Sequence, residues 1–228
     1  MKREKLLDTI RKYLDAEEKQ LFVAGQTYIR SSGVDWETDD VMSLMDAVLS
    51  KNYAHGQMSY EFERYLSNLV KQRFVAFCNS GSSASLLALS ALTSKEFGKK
   101  SLKKGDEVIT VAAGFPTTVN PIIQNGMVPV FVDINLPQYN ALPHAIEEAI
   151  SEKTKAIFIA HTLGNPYKAR EIRDLADRNE LWVIADCCDA LGAEHYDQPL
   201  PFWADISTFS FYPAHHITTG EGGARSIS

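Results

Sequence analysis

The chain has 228 residues, of which 45% are hydrophobic and 23% charged, and its formal net charge at pH 7 is −6. This composition is typical of an ordinary globular protein with one large or two small domains, and the negative balance argues against a nucleic-acid-binding surface. We expect neither a signal peptide nor a membrane-spanning segment. Because the three cysteines cannot form an even set of disulfides, the sequence predicts a reducing, cytoplasmic setting.

The first part of the chain predicts helices. Apolar side chains recur at helical spacing over residues 1–24 and again over residues 37–50, and a third helix is expected to follow Ser59. We therefore assign residues 1–50 to an N-terminal helical segment and residues 51–228 to a larger second domain.

From residue 74 onward, short apolar runs alternate with helical stretches. Strands buried on both faces appear as continuous apolar runs, and helical crossovers imply that such strands pair in parallel. The sequence therefore predicts an α/β fold with a mostly parallel central sheet and helices on both faces. The predicted strands are residues 74–78, 107–111, 128–132, 156–160, 182–185 and 206–211, and the predicted helices are residues 82–94, 117–126, 143–151 and 168–179.

The last predicted strand leads through Ser210 into two adjacent histidines, His215 and His216, and then into a Gly-Glu-Gly-Gly turn. Pro213 ends the strand because proline cannot donate a hydrogen bond to a neighbouring strand. Open α/β sheets bind ligands beyond the carboxyl ends of their strands. A hydroxyl, two imidazoles and flexible glycines at such a position predict a ligand site.

Three other strand ends carry groups suited to a ligand. The Ser/Gly-rich stretch of residues 79–85 precedes a helix, whose free N-terminal amides could bind a phosphate, although a serine-capped turn is the simpler interpretation. Phe115 could stack on a planar ring, although core packing is the simpler interpretation. Asp186 could pair with a protonated pyridine nitrogen or could cap the following turn. His161 also follows a strand and is a weaker candidate.

The segment beginning at Ser210 resembles the cofactor-lysine segment of the nucleotide-sugar aminotransferases, which belong to the pyridoxal-phosphate family with the aspartate-aminotransferase fold (fold type I). That family reads Ser-Phe-x-x-x-Lys-x-x-x-x-Gly-Glu-Gly-Gly, and here His215 stands at the lysine position. The lysine binds the cofactor covalently, so the resemblance implies pyridoxamine 5'-phosphate held without a covalent bond and His215 as the catalytic base. The residues that match the pattern are Ser210, Phe211, Gly220, Glu221, Gly222 and Gly223.

The resemblance extends over the chain from about residue 35, and it implies the cofactor-binding large domain, ending before the C-terminal domain of the family. It also implies a contact for each remaining candidate: the cofactor phosphate near the helix start, an aromatic residue over the ring and a carboxylate on the ring nitrogen. Asp189 stands where most members have glutamine, so its contact with the ring's phenolic oxygen is left open. The implied cofactor-binding residues are Gly81, Ser82, Ser83, Phe115, Asp186, Asp189 and Ser210.

Histidine at the lysine position is similar to the sugar 3-dehydrases that make 3,6-dideoxyhexoses for O-antigen lipopolysaccharide. The implied reaction removes the C3 hydroxyl of CDP-4-keto-6-deoxy-D-glucose. Cys188 falls where the iron–sulfur-dependent members have one ligand of a 2Fe–2S cluster, whose other three ligands would lie beyond residue 228, while Cys187 and Cys78 fit small core residues. The resemblance further implies a flavin- and NADH-dependent reductase as partner and a homodimer as the assembly.

Two alternatives stay open. The first is the cluster-free dehydratase that acts on GDP-4-keto-6-deoxy-D-mannose, also has histidine at the lysine position and regenerates its cofactor with glutamate. The second is a non-catalytic remnant that at most binds cofactor or dimerises. The adjacent pair of cysteines favours the iron–sulfur type over the first alternative.

Overall fold

The structure is a computed structural model that describes residues 2–17, 21–30, 32–52 and 54–228. The chain divides into two compact units, with the boundary between Glu61 and Phe62. The assignment of residues 51–228 to a cofactor-binding domain stays a prediction. Within the described ranges, no helix is long and apolar enough to cross a membrane.

The first unit contains α1 (Arg3–Asp15), α2 (Thr38–Leu49) and the start of α3 (Gln57–Val70). Ion pairs join α1 to α2: Arg3 lies 2.6 Å from Asp46, with both side chains about half exposed. Exposed pairs of this kind contribute about 0–1 kcal/mol each.

The prediction of one helix over residues 1–24 was too long, because α1 ends at Asp15. A helix is marginal in water unless an apolar face packs against other elements, so helical spacing alone does not continue the helix beyond Asp15. Leu21 and Phe22, whose spacing suggested helix, lie exposed outside any helix. Residues 18–20 of the predicted helix lie outside the described residues.

The second unit is built on a seven-stranded, mostly parallel sheet. Its strands are β1 (Phe74–Cys78), β2 (Glu107–Val111), β3 (Val128–Val132), β4 (Thr154–Ala160), β5 (Trp182–Asp186), β8 (Ile206–Ser210) and β9 (Gly223–Ile227), and a separate two-stranded ribbon pairs β6 (Glu194–His195) with β7 (Gln198–Pro199). The strand order is β1-β9-β8-β5-β4-β2-β3. Parallel pairing runs from β3 through β2, β4 and β5 to β8, whereas β9 is antiparallel to both β8 and β1.

Helices cover both faces of this sheet. They are α4 (Gly81–Ala91), α5 (Pro116–Gln124), α6 (Pro143–Glu148) and α7 (Ala169–Arg178), with short 3-10 turns at Lys95–Lys100, Thr162–Gly164 and Leu200–Trp203. Side chains that alternate along each strand separate into two buried clusters, as the two-residue period of a strand requires. In β4, Ile157 and Ile159 join α6 and α7 in one cluster, while Phe158 joins α4 and α5 in the other. The predicted α/β fold is therefore confirmed.

Strand β9 was not among the strands that the sequence predicted. Gly223–Ile227 pair along their whole length with both β1 and β8. The sequence signal was weak because Arg225 and Ser226 interrupt the apolar run by which a buried strand is recognised. The sheet therefore includes a strand that the sequence pattern missed.

Candidate functional site

A cavity of about 480 Å³ opens at the carboxyl ends of the central parallel strands. The segments that follow β2, β4, β5 and β8 all contribute to its wall, at the edge where ligands of open α/β sheets bind. The cavity brings together most of the residues that the sequence singled out. The predicted residues that line it are Gly81, Ser82, Phe115, His161, Asp186, Cys188, Asp189, Ser210 and His215.

The amino end of α4 forms one side of this cavity. Ser80 caps the helix, and its hydroxyl oxygen accepts a hydrogen bond from the Ser83 amide at 3.2 Å. The amides of Gly81 and Ser82 precede the first intrahelical hydrogen bonds, so they stay available to an anion. The prediction that Ser83 contacts the ligand is not supported, because its amide is used by the cap and it does not line the cavity. The cap residue Ser80 lines it instead.

The chain is packed tightly around this helix start. A Cβ atom added at Gly81 would lie 2.5 Å from Cβ of Ser210, and one added at Gly223 would overlap the carbonyl group of Ser80. The segments around Gly81, Ser210 and Gly223 therefore approach each other with almost no side chain between their backbones. This cradle of Ser80, Gly81, Ser210 and Gly223 has the small size and free amides that a phosphate group requires.

Asp186 ends β5 and is 5% exposed. Its Oδ2 atom accepts a hydrogen bond from the Thr118 hydroxyl at 2.8 Å, and its Oδ1 atom accepts one from the Cys188 amide at 3.1 Å. The second bond is the turn cap that was the alternative interpretation of this aspartate. No described residue forms an ion pair with Asp186, so the carboxylate offers a buried negative charge to a cationic ligand group, such as a protonated ring nitrogen.

Phe115 lies beyond β2 and directly precedes α5. Its side chain is 70% exposed and borders the cavity, so core packing does not explain it. A large exposed aromatic ring at a cavity mouth presents a flat apolar surface for stacking. The position suits a planar heterocycle whose ring nitrogen reaches Asp186.

The two adjacent histidines diverge, as expected. His215 lines the cavity, and its Nδ1 atom lies 3.1 Å from Oδ1 of Asp189. His216 turns elsewhere and places its Nε2 atom 2.9 Å from the carbonyl oxygen of Leu191. His215 is therefore the histidine of this pair that can act on a ligand in the cavity.

The two adjacent cysteines also differ. Cys187 is fully buried in the core cluster, whereas Cys188 is partly exposed and lines the cavity. Burial, and then the nearby charge of Asp186, raise the pKa of the Cys188 thiol well above its usual value. Within the described part of the chain, no three His, Cys, Asp or Glu side chains come together as a metal site. The described residues place one thiol, that of Cys188, at the cavity, whereas a 2Fe–2S cluster is normally held by four cysteine thiolates.

His161 follows β4 and packs into the cavity wall. Its ring stacks on Tyr167, with ring centres 3.8 Å apart, and its Nδ1 atom accepts a hydrogen bond from the Tyr167 amide. Burial, and secondarily the charge of His195, lower the pKa of His161 to about 3. The ring is therefore neutral at pH 7 and carries its proton on Nε2.

Other residues at or next to the cavity were not predicted. Thr118 holds Asp186, and Tyr212 and Glu221 line the cavity beside His215. Tyr212 and Glu221 lie within the segment that resembles the family motif, so their position was available from the sequence. The contact of Thr118 with Asp186 joins residues far apart in the chain and had no local signal.

The DegT/DnrJ/EryC1/StrS aminotransferase family model matches residues 35–226. A dTDP-4-dehydro-2,6-dideoxy-D-glucose 3-dehydratase of Saccharopolyspora spinosa is 48% identical over 97% of this chain and 48% of its own length. The lipopolysaccharide biosynthesis protein RfbH of Salmonella typhimurium is 49% identical over 97% of this chain and 51% of its own length. The chain thus spans about half the length of the curated relatives it matches.

Two solved structures share the fold of the chain. The structure of Escherichia coli GDP-4-keto-6-deoxy-D-mannose-3-dehydratase with bound hydrated PLP superposes with a TM-score of 0.80 at 30% sequence identity, covering 86% of this chain and 50% of that one. An aminotransferase from Psychrobacter cryohalolentis superposes with a TM-score of 0.79 at 28% identity, covering 85% of this chain and 48% of that one. Because the family model matches most of the residues and the fold agrees, the chain belongs to the DegT/DnrJ/EryC1/StrS aminotransferase family.

Proposed function

We propose that this chain forms the cofactor-binding part of a pyridoxamine-phosphate-dependent nucleotide-sugar 3-dehydratase of dideoxysugar biosynthesis. The observation that carries the proposal is His215, which stands at the family's lysine position and lines the cavity. Imidazole exchanges protons near neutral pH but does not form the covalent bond that a lysine forms with this cofactor. A plain transaminase is disfavoured for the same reason.

The cavity fits this cofactor on three counts. The amides of Gly81 and Ser82, with the Ser210 hydroxyl, suit the phosphate, Phe115 suits the face of the ring, and the unpaired buried charge of Asp186 suits the protonated ring nitrogen. The bound cofactor supplies an electron sink for loss of the sugar's C3 hydroxyl. In this arrangement Asp186 would hold the ring nitrogen protonated, and His215 would take the proton released from the cofactor's methylene carbon and pass it to the departing C3 hydroxyl, which leaves as water.

The substrate that we propose is CDP-4-keto-6-deoxy-D-glucose, used for the 3,6-dideoxyhexoses of O-antigen lipopolysaccharide. Support comes from the RfbH relative, whose name refers to lipopolysaccharide biosynthesis and whose match covers 97% of the chain. Relatives named as GDP-4-keto-6-deoxy-D-mannose 3-dehydratases are 31% to 32% identical over 82% of it. The GDP-linked sugar is therefore a weaker candidate than the CDP-linked one.

The iron–sulfur cluster of the first candidate stays a proposal, with Cys188 as one ligand. Cys188 lines the cavity while Cys187 is enclosed in the core, which favours Cys188 of the two. The described residues do not supply the remaining thiolates, so we derive no step through the cluster. The flavin- and NADH-dependent reductase and the cytoplasmic setting belong to the same proposal.

We also propose a homodimer. Leu163, next to the cavity residue Thr162, is 76% exposed, and Phe115 on the cavity wall is also largely exposed. Exposed apolar side chains at a cavity mouth favour coverage by a second protein surface. Sedimentation of the purified protein checks this assembly, and a monomer at all concentrations would contradict it.

The test is an absorption spectrum of the full-length protein, purified without air and recorded before and after addition of pyridoxamine phosphate. Visible bands that bleach on reduction, together with equal amounts of iron and sulfide, would support the iron–sulfur 3-dehydratase. A colourless protein that binds the cofactor would favour the GDP-linked dehydratase. Failure to bind the cofactor would refute the proposed function and favour a non-catalytic remnant.

A further inference from the structure

Asp189 and His215 form a pair at the cavity wall. Oδ1 of Asp189 lies 3.1 Å from Nδ1 of His215, and the two side chains are 48% and 20% exposed. Asp189 stands where most family members have glutamine, for which a contact with the cofactor ring was the expectation. In this structure the carboxylate instead has a partner within the chain, and that partner is the proposed base.

The contact favours one tautomer of the imidazole. An ionised carboxylate oxygen 3.1 Å from Nδ1 repels a lone pair and attracts a hydrogen there, so His215 prefers the hydrogen on Nδ1 and the lone pair on Nε2. The neighbouring ring has the opposite arrangement, because the Leu191 carbonyl also only accepts and it faces Nε2 of His216. His161 accepts at Nδ1 from the Tyr167 amide, so its hydrogen is on Nε2 as well. Among these three, only His215 is expected to keep its lone pair on Nε2.

The backbone on both sides of the pair is fixed. Gly164 adopts a φ of +76°, and a Cβ atom there would lie 2.7 Å from the Asp189 carbonyl oxygen, so the Asp189 backbone packs directly against this turn. The His215 amide donates a hydrogen bond to the Tyr212 carbonyl at 3.0 Å. The Tyr212 ring packs edge-on against the imidazole, with the two ring centres 6.1 Å apart. The backbones of the two partners are therefore in place before any ligand arrives.

We propose that Asp189 is a positioning residue for His215, and not a ligand of the cofactor. It holds the imidazole in the Nδ1–H tautomer, so that Nε2 accepts the proton, and its charge then stabilises the imidazolium that results. This inference rests on the proposed function for the role of His215 as base. The tautomer itself is independent of that role, because the contact is made within the protein.

The first test is nitrogen-15 NMR of the imidazole rings in the purified, cofactor-free protein at neutral pH. We expect a pyrrole-like Nδ1 and a pyridine-like Nε2 for His215, and the reverse for His216, which serves as the internal control. In Asp189→Asn the amide can donate to Nδ1, so we expect the His215 pattern to shift toward Nε2–H while that of His216 stays unchanged. A His215 pattern that is the same in both proteins would overturn the proposal.

The second test compares Asp189→Asn with Asp189→Glu, which restores the carboxylate. We expect pyridoxamine phosphate affinity within about twofold of wild type in both variants, because the cofactor does not lose a ligand. The rate of C3 hydroxyl loss from CDP-4-keto-6-deoxy-D-glucose should fall by about 10²-fold or more in Asp189→Asn, the scale of general-base catalysis, and recover in part in Asp189→Glu. A tenfold loss of cofactor affinity with an unchanged rate would overturn the proposal and make Asp189 a cofactor ligand.

Failure of the proposed function gives a different result. If His215→Asn retains the wild-type rate, His215 is not the base, whereas the tautomer measurement still reports on the Asp189 contact. A wild-type rate in His215→Asn would therefore overturn the role of Asp189 in catalysis, but not its effect on the imidazole tautomer. The two failures are therefore distinguishable.

Discussion

Replacement of Gly81 by alanine tests the phosphate cradle most directly. The new Cβ atom would lie 2.5 Å from Cβ and 2.9 Å from Oγ of Ser210, well inside ordinary van der Waals contact. Its third neighbour is the Cα atom of Ser210 at 3.2 Å, so rotation of the serine side chain does not remove the overlap. Either α4 or β8 must shift, and both contribute to the cavity.

Overpacking of this kind costs about 1–3 kcal/mol of the free energy of unfolding. Alanine stabilises the interior of a helix by up to about 1 kcal/mol relative to glycine, but by less at the first helical position. The steric overlap is therefore the larger effect, and we expect Gly81→Ala to lower the free energy of unfolding. For a chain of this size, a loss of about 1–3 kcal/mol lowers Tm by roughly 2–12 °C. Because the cradle itself moves, we expect affinity for pyridoxamine phosphate to fall by more than tenfold.

Thermal unfolding and cofactor titration of Gly81→Ala, beside Gly33→Ala, give the required comparison. An added Cβ meets nothing within 4 Å at Gly33, so this control should keep the wild-type Tm and affinity. Combining Gly81→Ala with Ser210→Gly removes the closest contacts and should recover part of the lost Tm, although not the affinity. Wild-type cofactor affinity in Gly81→Ala would refute the cradle as the phosphate site.

Three further predictions concern the rest of the cavity. Asp186→Asn keeps the shape but removes the charge, so pyridoxamine phosphate affinity in a fluorescence titration should fall by about 10–100-fold, and an unchanged affinity would place the ring nitrogen elsewhere. His215→Lys should bind pyridoxal phosphate covalently, with visible absorbance that borohydride fixes; if no covalent adduct forms, residue 215 is not at the family's lysine position. The pKa of His161 is lowered in the folded protein, so the unfolded chain binds more protons between pH 6.5 and about 3, and stability should fall as the pH drops through that window, by up to about 1.4 kcal/mol per unit. His161→Phe, which can keep the stacking on Tyr167, should flatten that slope in urea unfolding curves recorded at pH 7 and pH 5; an unchanged slope would contradict the assignment.

The parts of the fold that the sequence predicted are those with an uninterrupted local signal. The parallel strands appear as continuous apolar runs, and the structure places each within two residues of its prediction. β9 lacks that signal because Arg225 and Ser226 stand in a strand whose burial comes from its two neighbours. The end of α1 was also missed, because exposed apolar residues such as Leu21 continue the helical spacing past the helix itself.

The cavity shows the same division between local and distant information. The segments that carry Asp186, Ser210 and His215 could be identified from the chain alone, and the structure brings them together. The hydrogen bond from the Ser83 amide to the Ser80 hydroxyl oxygen decides which serine faces the cavity, and it depends on where the helix begins to within one residue. The pairing of Asp189 with His215 depends on how two loops approach each other, and no local pattern encodes that approach.

The antiparallel return of the chain through β9 affects how the site can bind a ligand that has no covalent attachment. The segment from Phe211 to Gly222, which carries His215, leaves the sheet at β8 and re-enters it at β9. Its base is closed by the Phe211 amide on the Gly222 carbonyl at 2.8 Å, and the Phe211 carbonyl accepts from both Thr218 and Thr219. The entropy of closing this loop is therefore lost when the protein folds and not when a ligand binds. The proposed base, His215, would therefore already be in position when the cofactor binds.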